Sequence, residues 1–260
     1  MMQKNQSIGF IGGGRVVRII LSALEYRGIK FKEIFAYDPD VKALEKLKIM
    51  YPFITTFSDN SSFTSDCDIV FLAVHPPAIA DVFKSLKILR ENAVLVSLAP
   101  KVKIKQIEEH LSGFSRIVRM IPNAPTFIGQ GFNPIAVHKS FAVDDHTDLL
   151  EIFKALGEYP VVDEDLLEAY AIITAMGPTY FWPQINKLKE LAILFGIEEE
   201  AAVEAISKML AGSVRALFES GLSPESVMDL VPVYPLKEIE SKVLEEYQNK
   251  LSLLFEKMKK

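Results

Sequence analysis

The stretch "SIGFIGGGRVVRIILSALEYRG", residues 7–28, decides the fold. An apolar run with strand character passes into Gly12-Gly13-Gly14 and then into a segment of helical period. A strand, a glycine turn and a helix in that order match the dinucleotide-binding fingerprint, with a tight turn alone as the other reading. One glycine makes the tight turn, and a second lets backbone amides approach a pyrophosphate at the helix N-terminus. Gly12 and Gly14 fit those roles, and Gly9, Gly13, Arg15 and Val16 are read with them as cofactor-binding residues. Arg15 and Val16 begin the helix. Val17 stands where Gly or Ala is usual for close helix–strand packing. The next strand ends "AYDPD", so Asp38 follows the turn at close to the ~20-residue spacing of a ribose-binding acid. Its carboxylate would accept from a 2′-hydroxyl and repel a 2′-phosphate, which favours NAD. Arg15 offers charge to such a phosphate, so NADP or NAD stays open. Asp38 or Asp40 can instead cap a helix, with Pro39 at a first helical position.

The rest of the first half repeats this alternation. "IGFI", "EIFAY", "DIVFLAV", "AVLVSL", "RIVRMI" and "PIAV" (134–137) are short apolar runs, and helix-period segments such as 15–26, 39–49 and 77–89 separate many of them. Nearly continuous Val, Ile, Leu and Phe suits strands covered on both faces, hence a parallel sheet with helices on either side. "DDHTDLLEIFKALG" predicts a helix ending at Gly157, and "EYPVVD" (158–163) a last strand. From Asp163 the pattern turns helical, beginning with "DEDLLEAYAIITAM". The expected fold class is therefore α/β. It has a Rossmann-type dinucleotide-binding domain over 1–162 and an all-α domain over 163–260. In the last helix Ile239, Val243, Tyr247, Leu251 and Leu254 or Phe255 form a stripe for packing on this chain or on a second subunit.

Composition narrows the function. The chain has 260 residues, 49% hydrophobic and 24% charged, with net charge −5. The dispersed acidic excess disfavours a nucleic-acid surface. A single cysteine, Cys67, excludes an intramolecular disulfide and a cysteine zinc site, and it reads as a small buried hydrophobe. Four scattered histidines and no carboxylate pair at ligand spacing give no metal site. The polar start "MMQKNQ" is no signal peptide, and no apolar run reaches the ~18 residues of a membrane span. A soluble cytoplasmic protein without membrane or nucleic-acid partners is expected.

With the turn in hand, further segments resemble pyrroline-5-carboxylate reductase. "FLAVHPPAIADV" (71–82) is similar to the family's "FLAVKP" strand end, with His75 where Lys is usual. "RMIPNAPTFIGQG" (119–131) resembles its "R-x-MPN-x-P-x-x-x-G-x-G" segment closely. "TAMGPTYFWPQINKLKELAILFGI" (174–197) resembles its "SGSGPAY" turn and the helix after it. The resemblance implies a Rossmann domain and a helical domain through which subunits interlock as a homodimer or a larger ring. It also implies NAD(P)H-dependent reduction of a cyclic imine, such as 1-pyrroline-5-carboxylate, to proline. Carried onto this chain, Ala73, Val74, His75, Pro76, Pro122 and Asn123 join the glycine turn at the cofactor, with Asn123 near the nicotinamide or substrate. A bland alternative makes Asn123 a turn residue that caps backbone groups. Thr174, Met176, Gly177 and Pro178 would hold the substrate, Pro178 opening a helix whose N-terminus suits an anion. Trp182 and Tyr180 are core or dimer contacts.

The chain departs from the pattern at "VMDLVPVYPLKEI", residues 227–239. The family usually reads "D-x-V-T-S-P-G-G-T-T" there, and the resemblance implies that those glycines and hydroxyls close over the substrate from the dimer partner. Here Pro235 and Leu236 replace the glycines, and Lys237 and Glu238 the threonines. Tyr234 could supply a hydroxyl and Lys237 a charge, which makes them candidate catalytic residues beside Asn123. Leu236-Lys237-Glu238 can equally just start the last helix. The departure leaves other readings open: an imine or keto substrate of another kind, a coenzyme F420-linked NADP oxidoreductase, or a non-catalytic dinucleotide-binding protein.

Overall fold

The computed structural model describes residues 2–58, 62–74, 79–86 and 89–259. It has two compact units, Met1–Ala175 with Phe255–Lys260, and Met176–Leu254. The composition shift at 162/163 lies inside the first of them.

The first unit is built on a seven-stranded sheet. Its strands are β1 (Ser7–Ile11), β2 (Glu33–Tyr37), β3 (Thr55–Phe57), β4 (Ile69–Leu72), β5 (Val94–Ser97), β6 (Ile117–Met120) and β7 (Ile135–Val137). They lie in the order β7-β6-β5-β4-β1-β2-β3, all parallel except β7, which pairs antiparallel with β6. The order reverses direction between β1 and β4, the switch point where an open α/β sheet leaves a crevice at its strands' carboxyl ends. β1, β4, β5 and β6 are buried at every position, as continuous apolar runs predict for strands covered on both faces. "PIAV" forms a strand, but antiparallel at the edge: the connection from β6, residues 121–134, holds a 3-10 turn at Ala124–Ile128 and no α-helix of the kind that usually joins parallel neighbours.

Helices α1 (Arg15–Tyr26), α2 (Val41–Met50), α3 (Ile79–Ser85), α4 (Ile104–His110) and α5 (Thr147–Leu156) pack on this sheet. α1 buries Val17, Ile20, Leu21 and Leu24, one face at helical spacing, into a core with Phe10, Ile34, Phe71 and Phe153. α2 is capped by Asp40, whose side chain accepts from Lys42 N–H at 3.0 Å. Pro39 precedes that cap and is not a helical residue, because Asp40 takes the extended backbone a cap requires. α5 ends at Gly157, whose φ of +128° favours glycine.

Of "EYPVVD" only Glu158 continues as strand, with Gly157 against Gly131–Phe132, and Val161 makes an isolated bridge to Ile135. "DEDLLEAYAIITAM" is helical but changes pitch along its length. Glu164–Leu166 is a 3-10 turn, α6 (Leu167–Tyr170) one α-turn, and Ala171–Ala175 a π-helix. Side-chain periodicity does not distinguish these pitches over so few residues.

The second unit contains α7 (Pro178–Leu194), α8 (Glu199–Glu219), α9 (Pro224–Met228) and the first part of α10 (Lys237–Lys259). Of residues 176–254 only Gly177 and Ala202 are buried. Phe195, Phe218, Leu194 and Leu236 are each more than 70% exposed. In the α10 stripe Ile239 and Val243 are exposed, while Tyr247 meets Tyr180 edge-on at 5.8 Å. Among the described residues no helix is long and apolar enough to cross a membrane.

Candidate cofactor and active site

The sheet carries several predicted site residues to one edge. Gly12 follows β1, Asp38 follows β2, Ala73 and Val74 follow β4, and Pro122-Asn123 follow β6, all at carboxyl ends of parallel strands. Gly12 has φ +107°, and a Cβ there would collide with the carbonyl of Ala73, whose carbon lies 2.9 Å from that point. Its N–H donates to Tyr37 O at 2.6 Å, so the turn hugs β2 on one side and β4 on the other. Gly14 is the N-cap of α1 and has no side-chain cap, and a Cβ on it would meet nothing within 4 Å. The first-turn amides of α1, from Arg15 and Val16 onward, have no intrahelical acceptors and face this open approach. That combination fits a pyrophosphate. Gly9 has another role: it sits inside β1, where a Cβ would lie 2.7 Å from both Cys67 Sγ and a ring carbon of Phe63. Cys67 itself is buried, and that burial, with Asp66 and Asp68 nearby, pushes its thiol up to about 12.

Asp38 is part of the turn's construction. One carboxylate oxygen accepts from Gly13 N–H at 2.7 Å and the other from Asp40 N–H at 2.8 Å. The acid thus fixes the turn and keeps its negative charge beside it, with lone pairs left for a ribose hydroxyl. His75 and Pro76 lie outside the described residues.

Asn123 sits in a buried polar cluster. Its Oδ1 accepts from Phe132 N–H at 3.1 Å, its N–H donates to Asn133 Oδ1 at 3.2 Å, and Thr126 Oγ1 donates to Asn133 Oδ1 at 2.6 Å. Asn123 also precedes the 3-10 turn Ala124–Ile128 without a side-chain cap bond of its own. The carboxamide oxygen is therefore structural, and its Nδ2 is the atom left to serve a ligand.

Sequence reasoning missed what stands behind this loop. Arg119 on β6 is 1% exposed and donates to Glu164 at 3.0 Å and Glu168 at 2.8 Å. A fully buried charge demands such partners. The "R" of "RMIPNAP" was the available signal, but its acids come from a segment read only as helix.

Thr174 lies in the π-helix, its hydroxyl donating to Tyr170 O at 2.7 Å. Met176, Gly177 and Pro178 open the second unit. Gly177 is already helical, with φ −47° and ψ −44°. Pro178 has no N–H, and those of Thr179 and Tyr180 are accepted by Met176 O and Gly177 O at 2.9 Å. An anion there would not find those two amides open. In the altered stretch Tyr234 hydroxyl donates to Met228 O at 2.5 Å, and Lys237 pairs with Glu240 at 3.0 Å. No cluster of metal-ligating side chains occurs among the described residues.

A Rossmann sheet with this turn at its switch point is the construction of a dinucleotide-dependent oxidoreductase. Comparison with known proteins agrees. Residues 7–101 match the family described as NADP oxidoreductase, coenzyme F420-dependent. The chain is 29% identical to pyrroline-5-carboxylate reductase of Methanosarcina acetivorans over 88% of this chain and 85% of that one. It is 26% identical to the Escherichia coli enzyme of that name over 87% and 84%. Among solved structures, the pyrroline-5-carboxylate reductase of Coxiella burnetii is similar at TM-score 0.67 and 27% identity over 98% of this chain and 95% of that one. The NADP-bound Plasmodium falciparum pyrroline carboxylate reductase shares the fold at TM-score 0.79, with 23% identity over 99% and 98%. The chain is thus of the NAD(P)-dependent oxidoreductase class. Within that class it is pyrroline-5-carboxylate-reductase-like along nearly its whole length.

Proposed function

We propose that this protein reduces a cyclic imine, of which 1-pyrroline-5-carboxylate is the first candidate, with NADH or NADPH. The observation that carries the reading is the glycine turn. It combines an open helix N-terminus at Gly14 with an acid, Asp38, bonded to Gly13 N–H, at the switch point of the sheet. Bound there, a reduced nicotinamide would supply a hydride to the imine carbon while the nitrogen takes a proton. Gly12 brings the backbone close, α1 supplies amides to the pyrophosphate, and Asp38 takes the ribose. Ala73, Val74 and Pro122 line the same sheet edge, and Asn123 Nδ2 is the donor offered toward the nicotinamide end. Thr174 is the substrate-side candidate of this unit. Tyr234 and Lys237, with local partners at their polar ends, shape their own stretch in this reading and stay out of the chemistry.

The second unit supports a homodimer. Helices that bury almost nothing and expose Phe195, Phe218 and Leu236 lack a core of their own, and such apolar surface marks an association site. A cytoplasmic setting, free of nucleic acid and membrane, completes the proposal.

The test is loss of reduced-nicotinamide absorbance on mixing protein, 1-pyrroline-5-carboxylate and NADH or NADPH. Turnover supports the reading. Tight cofactor binding without turnover on this or other cyclic imines favours the second reading, a dinucleotide-binding protein without catalysis, which the internally bonded 227–239 stretch motivates.

A further inference from the structure

The buried ion cluster behind the Asn123 loop is larger than an isolated pair. Arg119 lies on β6, Glu164 in the 3-10 turn before α6 and Glu168 in α6 itself, and both acids also accept backbone amides from a third place. Glu168 Oε1 takes Lys101 N–H at 3.2 Å, and Glu164 Oε1 takes Ile104 N–H at 2.7 Å. The loop after β5 and the start of α4 are thereby fastened to the carboxyl end of β6. Lys101 holds φ +67°, a left-handed backbone that a side chain rarely adopts and that persists where surroundings over-determine it. In register, Arg119 stands opposite Ser97, the last residue of β5. Ser97 Oγ and Arg119 Nε are both buried without a hydrogen-bond partner among the described residues. β5 and β6 therefore end in a charged knot, and after only Met120, Ile121 and Pro122 the chain from β6 reaches Asn123.

A buried Arg with two acids is a weak device for stability, since apolar residues of like volume often do as well. It is a strong device for position, because guanidinium and carboxylate fix direction as well as distance. We infer that Arg119, Glu164 and Glu168 are positioning residues that hold the ends of β5 and β6, and with them the Asn123 loop, in register for the nicotinamide half of the cofactor. The glycine turn serves the other half from β1 and does not depend on this clamp. The inference rests on the proposed placement of the cofactor along that sheet edge.

The experiment compares two ligands on the full-length protein. ADP-ribose (or its 2′-phosphate) reports the glycine-turn half alone, and the intact reduced dinucleotide reports both halves. Glu168→Gln is expected to weaken the intact dinucleotide about tenfold and leave the ADP-ribose dissociation constant within about twofold. Hydrogen exchange at the Lys101 amide should accelerate in the same variant. Glu164→Gln, at a side chain 23% exposed, should act in the same direction more weakly, and it decides the matter if Glu168→Gln does not fold. Equal weakening of both ligands, or of neither, overturns the clamp. These readouts need no turnover. A wild type that binds both ligands but reduces no imine removes the reductase reading alone. Turnover in the wild type with no selective loss in the variants removes the clamp alone. A wild type that binds neither ligand overturns both.

Discussion

The glycine turn at 12–14 and the stretch 227–239 are both short connections between regular elements, and they treat their backbone donors in opposite ways. At the turn, Gly13 N–H is held by Asp38 while the space above Gly14 and the start of α1 stays open. In the later stretch, Pro232 and Pro235 have no N–H at all. The amides of Asp229, Leu230, Lys237 and Ile239 are accepted by Glu225, Val227, Tyr234 and Leu236 carbonyls. What that stretch presents instead is apolar: Val231, Val233 and Leu236 are 60%, 67% and 71% exposed. One connection leaves a helix N-terminus open beside an acid, and the other ties its two ends by local hydrogen bonds and presents apolar side chains between them. Capacity for a cofactor and recognition of a substrate are therefore separate properties of this chain.

The largest effect should come from Gly12→Ala. The backbone would be strained by roughly 1–3 kcal/mol, and the new Cβ would meet the Ala73 carbonyl. Titration of reduced-nicotinamide fluorescence should show affinity lost by two orders of magnitude or more, with a lowered melting temperature. Retained affinity would mean that the turn is not the cofactor site. A smaller effect is expected from Asp38→Asn, which keeps an acceptor for Gly13 or Asp40 but removes the charge. The ratio of NADPH to NADH affinity should rise about tenfold, or about 1.4 kcal/mol. An unchanged ratio would place the 2′-position elsewhere. The smallest is Tyr234→Phe. Losing the bond to Met228 O should cost about 0.5–1.5 kcal/mol of stability, seen in chemical denaturation, with kcat within about twofold of wild type. A hundredfold fall in kcat at unchanged stability would return Tyr234 to the chemistry.

Much of this was legible in the sequence for physical reasons. A strand buried on both faces must be apolar throughout, so β1, β4, β5 and β6 announced themselves, and the turn demanded glycine where φ is positive. β7 could not be told from a parallel strand by its residues, because a short apolar run carries no mark of pairing direction and the connection before it, residues 121–134, is long enough for either. The pitch changes at 164–175 leave no periodic trace. The Arg119 clamp joins residues distant in sequence, so a motif containing Arg119 could mark the place without revealing the acids that complete it. The roles of Asn123, Tyr234 and Lys237 could be set against partners only once Phe132, Met228 and Glu240 were placed beside them.

The most direct test of the account is the specificity constant for 1-pyrroline-5-carboxylate set against that for 1-pyrroline, which lacks the carboxylate, both at saturating cofactor. If the 227–239 stretch offers the carboxylate few donors, the two constants should lie within about tenfold of each other. A preference of a thousandfold or more for the carboxylated imine, about 4 kcal/mol, would show that this chain has a full carboxylate site, and the contrast drawn between its two connections would fail.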